Sequence, residues 1–98
     1  MHVAWLTMDL HLPDVHSLKE KRSVVRPILD GAHRRFAVAV AEVDHQDSWQ
    51  RAVLAMAAVS GSAGHARQVI DAVERFVWSF PEVEVVSTER GWAGREDR

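Results

Sequence analysis

The sequence lacks two residue types that small proteins often use to build sites. It contains no cysteine and no tyrosine. The absence of cysteine excludes disulfide bonds, thiol nucleophiles and thiolate zinc sites, and it fits a reducing compartment. A metal site in this chain would therefore need histidine and carboxylate ligands.

Long apolar runs are also missing. No segment approaches the roughly 20 apolar residues that cross a bilayer, and the first residues include Asp9 but no basic cluster typical of a secretion signal. We therefore expect a cytoplasmic protein with no membrane association. The 98 residues are 47% hydrophobic and 27% charged, which excludes disordered and collagen-like classes and indicates one globular domain.

Positive charge is concentrated in one segment, although the chain as a whole carries a net charge of −2. Between Ser17 and Arg35 lie six bases and two acids (Glu20 and Asp30), a balance of +4. The bases are Lys19, Lys21, Arg22, Arg26, Arg34 and Arg35. This segment is the surface that we expect to suit a polyanion.

The first half of the chain predicts a strand followed by a helix. Residues 2–12 alternate between apolar and polar, which is typical of a half-buried strand. Ser17 and Glu20 form a capping box, so we predict a helix over residues 17–34. Pro27 lies within that helix and predicts a kink, because proline removes a backbone hydrogen bond.

The second half predicts three more strands and one more helix. Runs rich in valine and alanine, residues 36–43 and 51–60, predict two strands joined by a polar loop as a hairpin. Apolar residues at helical spacing from Ala66 to Phe80 predict a helix that Pro81 terminates. Residues 82–89 predict the last strand, and residues 91–98 a flexible polar tail.

This order of elements, β-α-β-β-α-β, predicts an α+β ferredoxin-like sandwich. Right-handed crossovers then give a four-stranded antiparallel sheet with both helices on one face. Strands one and three are central in this arrangement, and strands two and four form the edges. The domain would span residues 1–90.

Two segments resemble the signature stretches of a known family. They are His16–Arg22 (HSLKEKR) and Ala41–Ala52 (AEVDHQDSWQRA), and they resemble the YlxP-like family of small bacterial proteins, which carry a domain of unknown function. The likeness covers about residues 1–90. It implies the ferredoxin-like fold, and the frequent proximity of the family's genes to those of translation and ribosome-maturation factors suggests RNA or ribosome association. The family has no agreed catalytic residues to carry over, and Pro27 departs from its pattern.

The predicted topology brings these two segments to one end of the sheet, as a rim that holds His16, Asp44, His45 and Asp47. One interpretation is a structural lock, in which the aspartates accept hydrogen bonds from the backbone or Arg51. In that lock, the Trp49 side chain would cover the end of the sheet, and His16 or His45 would bridge the two loops. The alternatives are a histidine–carboxylate metal site, a His–Asp acid–base pair, and contact with RNA or a ligand without chemistry.

We favour a non-enzymatic protein that has no cofactor or metal and associates with rRNA or a ribosome-assembly partner. A small-ligand or metal-binding protein or enzyme that uses the rim is the alternative. Strand three offers no aromatic side chains, which argues against base stacking on the sheet. The tentative RNA- or ligand-binding residues are His16, Lys19, Lys21, Arg22, Arg26, Asp44, His45 and Asp47.

The sheet face opposite the helices predicts an interface. An uncovered apolar patch of this kind usually marks an interaction surface. We therefore expect a homodimer packed sheet to sheet, and a structural homodimer that acts as a protein-interaction module is the third functional hypothesis. The tentative interface residues are Val3, Trp5, Val53, Ala55 and Ala57.

Overall fold

The computed structural model describes residues 1–94, which form one four-stranded sheet and two helices. The elements in chain order are β1 (His2–His11), α1 (Leu18–Phe36), β2 (Ala39–Asp44), β3 (Arg51–Ser60), α2 (Ala63–Trp78) and β4 (Glu84–Gly94). The strands lie in the order β2-β3-β1-β4, and every neighbouring pair is antiparallel. The predicted ferredoxin-like arrangement is confirmed. Within residues 1–94, no helix combines the length and apolarity that a membrane crossing requires.

The core lies between the sheet and the two helices. In β1, every second residue from Ala4 to Leu10 is buried, and β3 presents Ala52, Leu54, Met56 and Ala58 beside them. The helices complete the core with Val25, Ile28 and Ala32 of α1 and Ala66, Ile70, Val73 and Val77 of α2. The opposite faces of β1 and β3 therefore lie outside this core, as the alternating pattern predicts.

Helix α1 begins with the predicted cap. Ser17 Oγ accepts a hydrogen bond from the backbone N–H of Glu20 at 3.1 Å. The Glu20 carboxylate reaches back and accepts from the backbone N–H of His16 at 3.0 Å. The first bond satisfies a donor that the first helical turn leaves unpaired, and the second fixes the residue before the cap.

The carboxyl end of α1 lies two residues beyond the predicted one. Phe36 stays in the helix and packs edge-on against Phe76, with ring centroids 5.6 Å apart. Ala37 then takes a left-handed conformation with φ of 55° and ends the helix. As a consequence, β2 begins at Ala39 rather than at Phe36.

Pro27 does not interrupt α1, which is continuous from Leu18 to Phe36. Proline cannot donate to the carbonyl of Ser23, four residues earlier. Ser23 and Pro27 are both exposed, so water can reach that carbonyl. The exposed position explains why the helix tolerates this residue.

Helix α2 packs closely against α1. Its N-cap is Ser62, whose Oγ accepts from the backbone N–H of His65 at 3.3 Å, so the helix begins three residues before the predicted Ala66. A Cβ atom at Gly31 of α1 would lie 2.6 Å from Cζ of Phe76. The absence of a side chain at Gly31 therefore permits the close approach of the two helices.

Strand β4 is longer than predicted and replaces the first half of the expected tail. It runs from Glu84 to Gly94 and pairs with β1 as far as His2. The pairing continues because β1 supplies partners along its full length and because Trp92 stacks beside the ring of His2, with centroids 5.5 Å apart. Residues 91–94 of the predicted tail therefore belong to β4, and the rest of that tail, residues 95–98, lies outside the described residues.

Candidate functional site

The two signature segments are neighbours, as the topology predicts. The backbone N–H of Leu12 donates to the carbonyl of Gln50 at 2.9 Å. Gln50 Nε2 donates to the carbonyl oxygens of Val15 at 3.1 Å and Pro13 at 3.3 Å. The glutamine side chain thus fastens the loop after β1 to the end of the hairpin loop.

The four predicted rim residues, His16, Asp44, His45 and Asp47, are all exposed. Asp44 Oδ1 accepts from the adjacent backbone N–H of His45 at 2.7 Å. In the part of the chain that the structure describes, no hydrogen bond joins the two imidazoles, and no three acidic or histidine side chains are grouped as metal ligands would be. The rim therefore exposes these side chains without assembling them into a site.

The structural lock differs in its parts from the predicted one. Arg51 binds Asp9 of β1, with Nη2 2.6 Å from Oδ2, instead of the loop aspartates. Trp49 is 51% exposed and does not plug the sheet end. Gln50 joins the two loops, and Lys21 joins α1 to the hairpin loop. Neither residue was assigned such a role from the sequence.

Lys21 is the buried member of the basic segment. Its side chain is 3% exposed, and Nζ lies 2.6 Å from Oε2 of Glu42 on β2. The two groups carry opposite charges and form an ion pair. Nζ also donates to the carbonyl oxygen of His45 at 2.7 Å, which holds the hairpin loop where His45 has a φ of 60°.

This burial argues against the expected role of Lys21 in binding RNA or a ligand. Lys21 lies on the same side of α1 as Val25, Ile28 and Ala32, which are buried. Its side chain is 3% exposed and its ammonium group is paired with Glu42. A polyanion at the surface would therefore meet a charge that Glu42 already balances.

Three other bases of the segment, Lys19, Arg22 and Arg26, are exposed and form a row along α1, which we call the basic ridge. Beside the ridge, the outer surface of α1 also presents Ser23, Pro27, Asp30 and Arg34. On the other side of the ridge, between α1 and β2, is a groove of about 320 Å³ that reaches Glu42 and Gln46. Arg22 and Arg26 border both this outer surface and the groove.

The basic ridge differs from Arg51 and Arg90 in how its charges are paired. Within residues 1–94, none of its three side chains takes part in an ion pair, whereas Arg51 and Arg90 each bind carboxylates. Hydrogen bonds and the charge of Asp9 raise the pKa of Arg51. The hydrogen bonds that Arg90 donates to Glu74 and then to Asp71 raise its pKa. The ridge is thus a row of available cations on a protein of net negative charge.

The predicted interface residues share the open face of the sheet. Val3 lies opposite Val59, Trp5 opposite Ala57, Thr7 opposite Ala55, and Asp9 opposite Val53. Trp5 is 37% exposed. Sequence reasoning missed Gly91, which lies opposite Trp5 on β4 and would have been found only by extending the last strand beyond Glu89.

Comparison with known proteins identifies relatives along most of the chain. A family model described as "Protein of unknown function (DUF503)" matches residues 3–90. The "Uncharacterized protein YlxP" of Bacillus subtilis (strain 168) is 40% identical over 79 residues, which cover 81% of this chain and 86% of that protein.

Two solved structures are similar in fold. The de novo designed protein Foldit4 gives a TM-score of 0.58 at 11% identity, over 98% of this chain and 100% of its own. A mutant of SnoaB, a cofactor-independent oxygenase from Streptomyces nogalater, gives a TM-score of 0.50 at 12% identity, over 99% of this chain and 95% of its own. At such low identities these likenesses show the fold alone.

Proposed function

The chain belongs to the DUF503 family of proteins of unknown function, and we propose that it is a non-enzymatic protein that binds RNA through the basic ridge. The observation that carries this proposal is the row formed by Lys19, Arg22 and Arg26. These three cations are exposed and have no ion-pair partner within residues 1–94, and Arg22 and Arg26 border the groove between α1 and β2. We expect the partner to be rRNA or an RNA of a ribosome-assembly intermediate.

The dimensions of α1 suit contact with several phosphates. An α-helix rises about 1.5 Å per residue, so Lys19 and Arg34 are about 22 Å apart along the helix axis. Arg22 and Arg26 lie between these two residues along the helix. A nucleic acid strand laid along the outer surface of α1 would meet a cation at each turn or two of the helix, and neutralisation of its phosphates would release bound counterions.

The open sheet face offers little for reading bases. RNA-binding sheets of similar topology stack two or three bases on aromatic rings from adjacent central strands. Here β3 presents Val53, Ala55, Ala57 and Val59 on that face, beside the single indole of Trp5. We therefore propose binding dominated by the phosphate backbone, which is sensitive to salt and tolerant of sequence.

The proposal is tested by charge reversal on the ridge, with a matched reversal elsewhere. The test variant is Arg22→Glu/Arg26→Glu, and the control is Arg67→Glu/Arg75→Glu, whose positions are exposed on α2. Both variants change the net charge equally. We expect the test variant to weaken binding of a fluorescently labelled single-stranded RNA at least tenfold, and the control to change it less than threefold.

The salt dependence gives a second readout. Loss of two phosphate contacts lowers the slope of log affinity against log salt by about 1.4 for a single strand. Equal weakening in both variants would show a general effect of net charge, and unchanged binding in the test variant would refute the ridge as the site. Co-sedimentation with ribosomal particles at low and high salt then distinguishes a ribosomal partner from free RNA.

A further inference from the structure

The open sheet face contains a hollow beside a large side chain. Ala39, Ala57, Trp5 and Gly91 form one row across all four strands, and the next row contains Ala41, Ala55 and Thr7. The four alanine side chains leave a depression of about 300 Å³, bordered by Trp5 and Thr7. Its surface is almost entirely apolar.

Trp5 stands at the edge of this hollow and leans away from it. A Cβ atom at Gly91 would lie 1.7 Å from Cζ2 of the indole, so the ring lies across Gly91 towards β4. The indole nevertheless remains 37% exposed. The face therefore presents an exposed indole, lying over β4, and an apolar depression over β2 and β3 next to each other, on strands about 4.8 Å apart.

We propose that a second copy of this chain occupies the face, with the Trp5 side chain of each copy placed in the alanine hollow of the other. A two-fold symmetric interface requires that one patch contain both complementary shapes. Trp5 and the hollow meet that requirement, because a two-fold axis that passes between them exchanges one for the other. A different protein partner would have no need for both features in the same patch.

The borders of the patch support an interface of limited size. At one end, Arg51 Nη2 donates to Oδ2 of Asp9 at 2.6 Å, and His11 Nδ1 lies 2.7 Å from Oε1 of Glu84. These polar pairs border the apolar centre at that end, as in many interfaces. Four strands and the length of Val53–Val59 give a face about 19 Å by 20 Å, which includes Glu89 of β4 opposite Thr7. A face of this size is at the low end for specific interfaces, where weak and transient contacts lie.

The dimer is compatible with RNA binding but does not depend on it. Both helices pack on the other face of the sheet, so each copy keeps its basic ridge exposed on the outside of the dimer. The dimer would carry two such ridges on opposite sides. Loss of dimerisation and loss of RNA binding are separate outcomes, since the first concerns the open sheet face and the second α1.

Sedimentation equilibrium from 1 to 500 µM tests the proposal. We expect the wild-type protein to change from monomer to dimer within this range. Trp5→Ala should raise the dissociation constant at least about 30-fold, the effect of truncating a central aromatic anchor. The control is Trp78→Ala, because Trp78 is also an exposed tryptophan, 57% exposed, but lies on α2.

A second variant keeps Trp5 in place and fills the hollow. Ala41→Arg changes an exposed position on the edge strand β2, where folding tolerates a long side chain, and it should also give monomers. Circular dichroism confirms that each variant is folded. A monomeric wild-type protein at 500 µM, or dimerisation that Trp5→Ala and Ala41→Arg leave unchanged, would overturn the proposal.

Discussion

The ion pair of Lys21 and Glu42 yields the sharpest prediction for stability. Replacement of Lys21 by methionine keeps a long unbranched side chain but removes the ammonium group, so Glu42 and the carbonyl of His45 lose their partner. Removal of one member of a fully buried pair costs about 3–5 kcal/mol. Because the Glu42 side chain is 23% exposed and partly hydrated, we expect Lys21→Met to cost about 2 kcal/mol.

Substitution of Glu42, the other member of the pair, should cost more stability. Glu42→Leu leaves the ammonium of Lys21, 3% exposed, with one neutral carbonyl as its partner, so we expect a loss of about 3 kcal/mol. The double variant Lys21→Met/Glu42→Leu replaces the pair with apolar groups and should recover at least about 2 kcal/mol of the summed losses. In thermal melts, Lys21→Met alone should lower the Tm by about 8–16 °C.

Urea denaturation followed by circular dichroism measures these free energies, with Lys19→Met as the control. Lys19 lies on the same helix but is exposed, so its substitution should change the free energy of unfolding by less than about 0.5 kcal/mol. If Lys21→Met costs no more than Lys19→Met, or if the two single effects simply add, Lys21 is not the buried, paired group that fastens the hairpin loop.

Three further substitutions test local features by the same urea denaturation. Gly91→Ala should destabilise by about 1–3 kcal/mol because its methyl group collides with the Trp5 indole; an unaffected variant would contradict that packing. Ser17→Ala removes the acceptor for the backbone N–H of Glu20 and should cost about 1 kcal/mol, so a loss below about 0.3 kcal/mol would argue against the cap. Pro27→Ala restores a helical hydrogen bond at an exposed site and should stabilise by about 1–3 kcal/mol; lower stability would show that Pro27 fits its environment better than alanine does.

Local signals were sufficient to predict much of the fold. The alternation in β1, the bounds Arg51–Ser60 of β3 and the cap at Ser17 all depend on residues close in sequence, and each agrees with the structure. Once six elements follow in the order β-α-β-β-α-β, the right-handedness of crossover connections leaves few possible topologies. The adjacency of the two loops follows from that topology alone.

The features that were missed depend on partners far along the chain. Residues 91–94 (GWAG) include two glycines, which disfavour strands, yet they form a strand because β1 supplies the other half of the hydrogen-bond ladder. Lys21 was grouped with the exposed bases, although Val25, Ile28 and Ala32 follow it at helical spacing on the buried side. That spacing was a signal of its burial, but the acceptors at Glu42 and His45 became apparent only from the folded hairpin.

Chemical-shift mapping tests the central claim of RNA binding through α1 most directly. Two-dimensional ¹H–¹⁵N spectra of the labelled protein would be recorded during titration with a short single-stranded RNA in low salt. We predict that the largest shifts fall on residues 19–34 and on the hairpin loop around Gln46, and that they diminish as salt is added. Shifts centred on the open sheet face, or none at RNA concentrations in the millimolar range, would contradict the account.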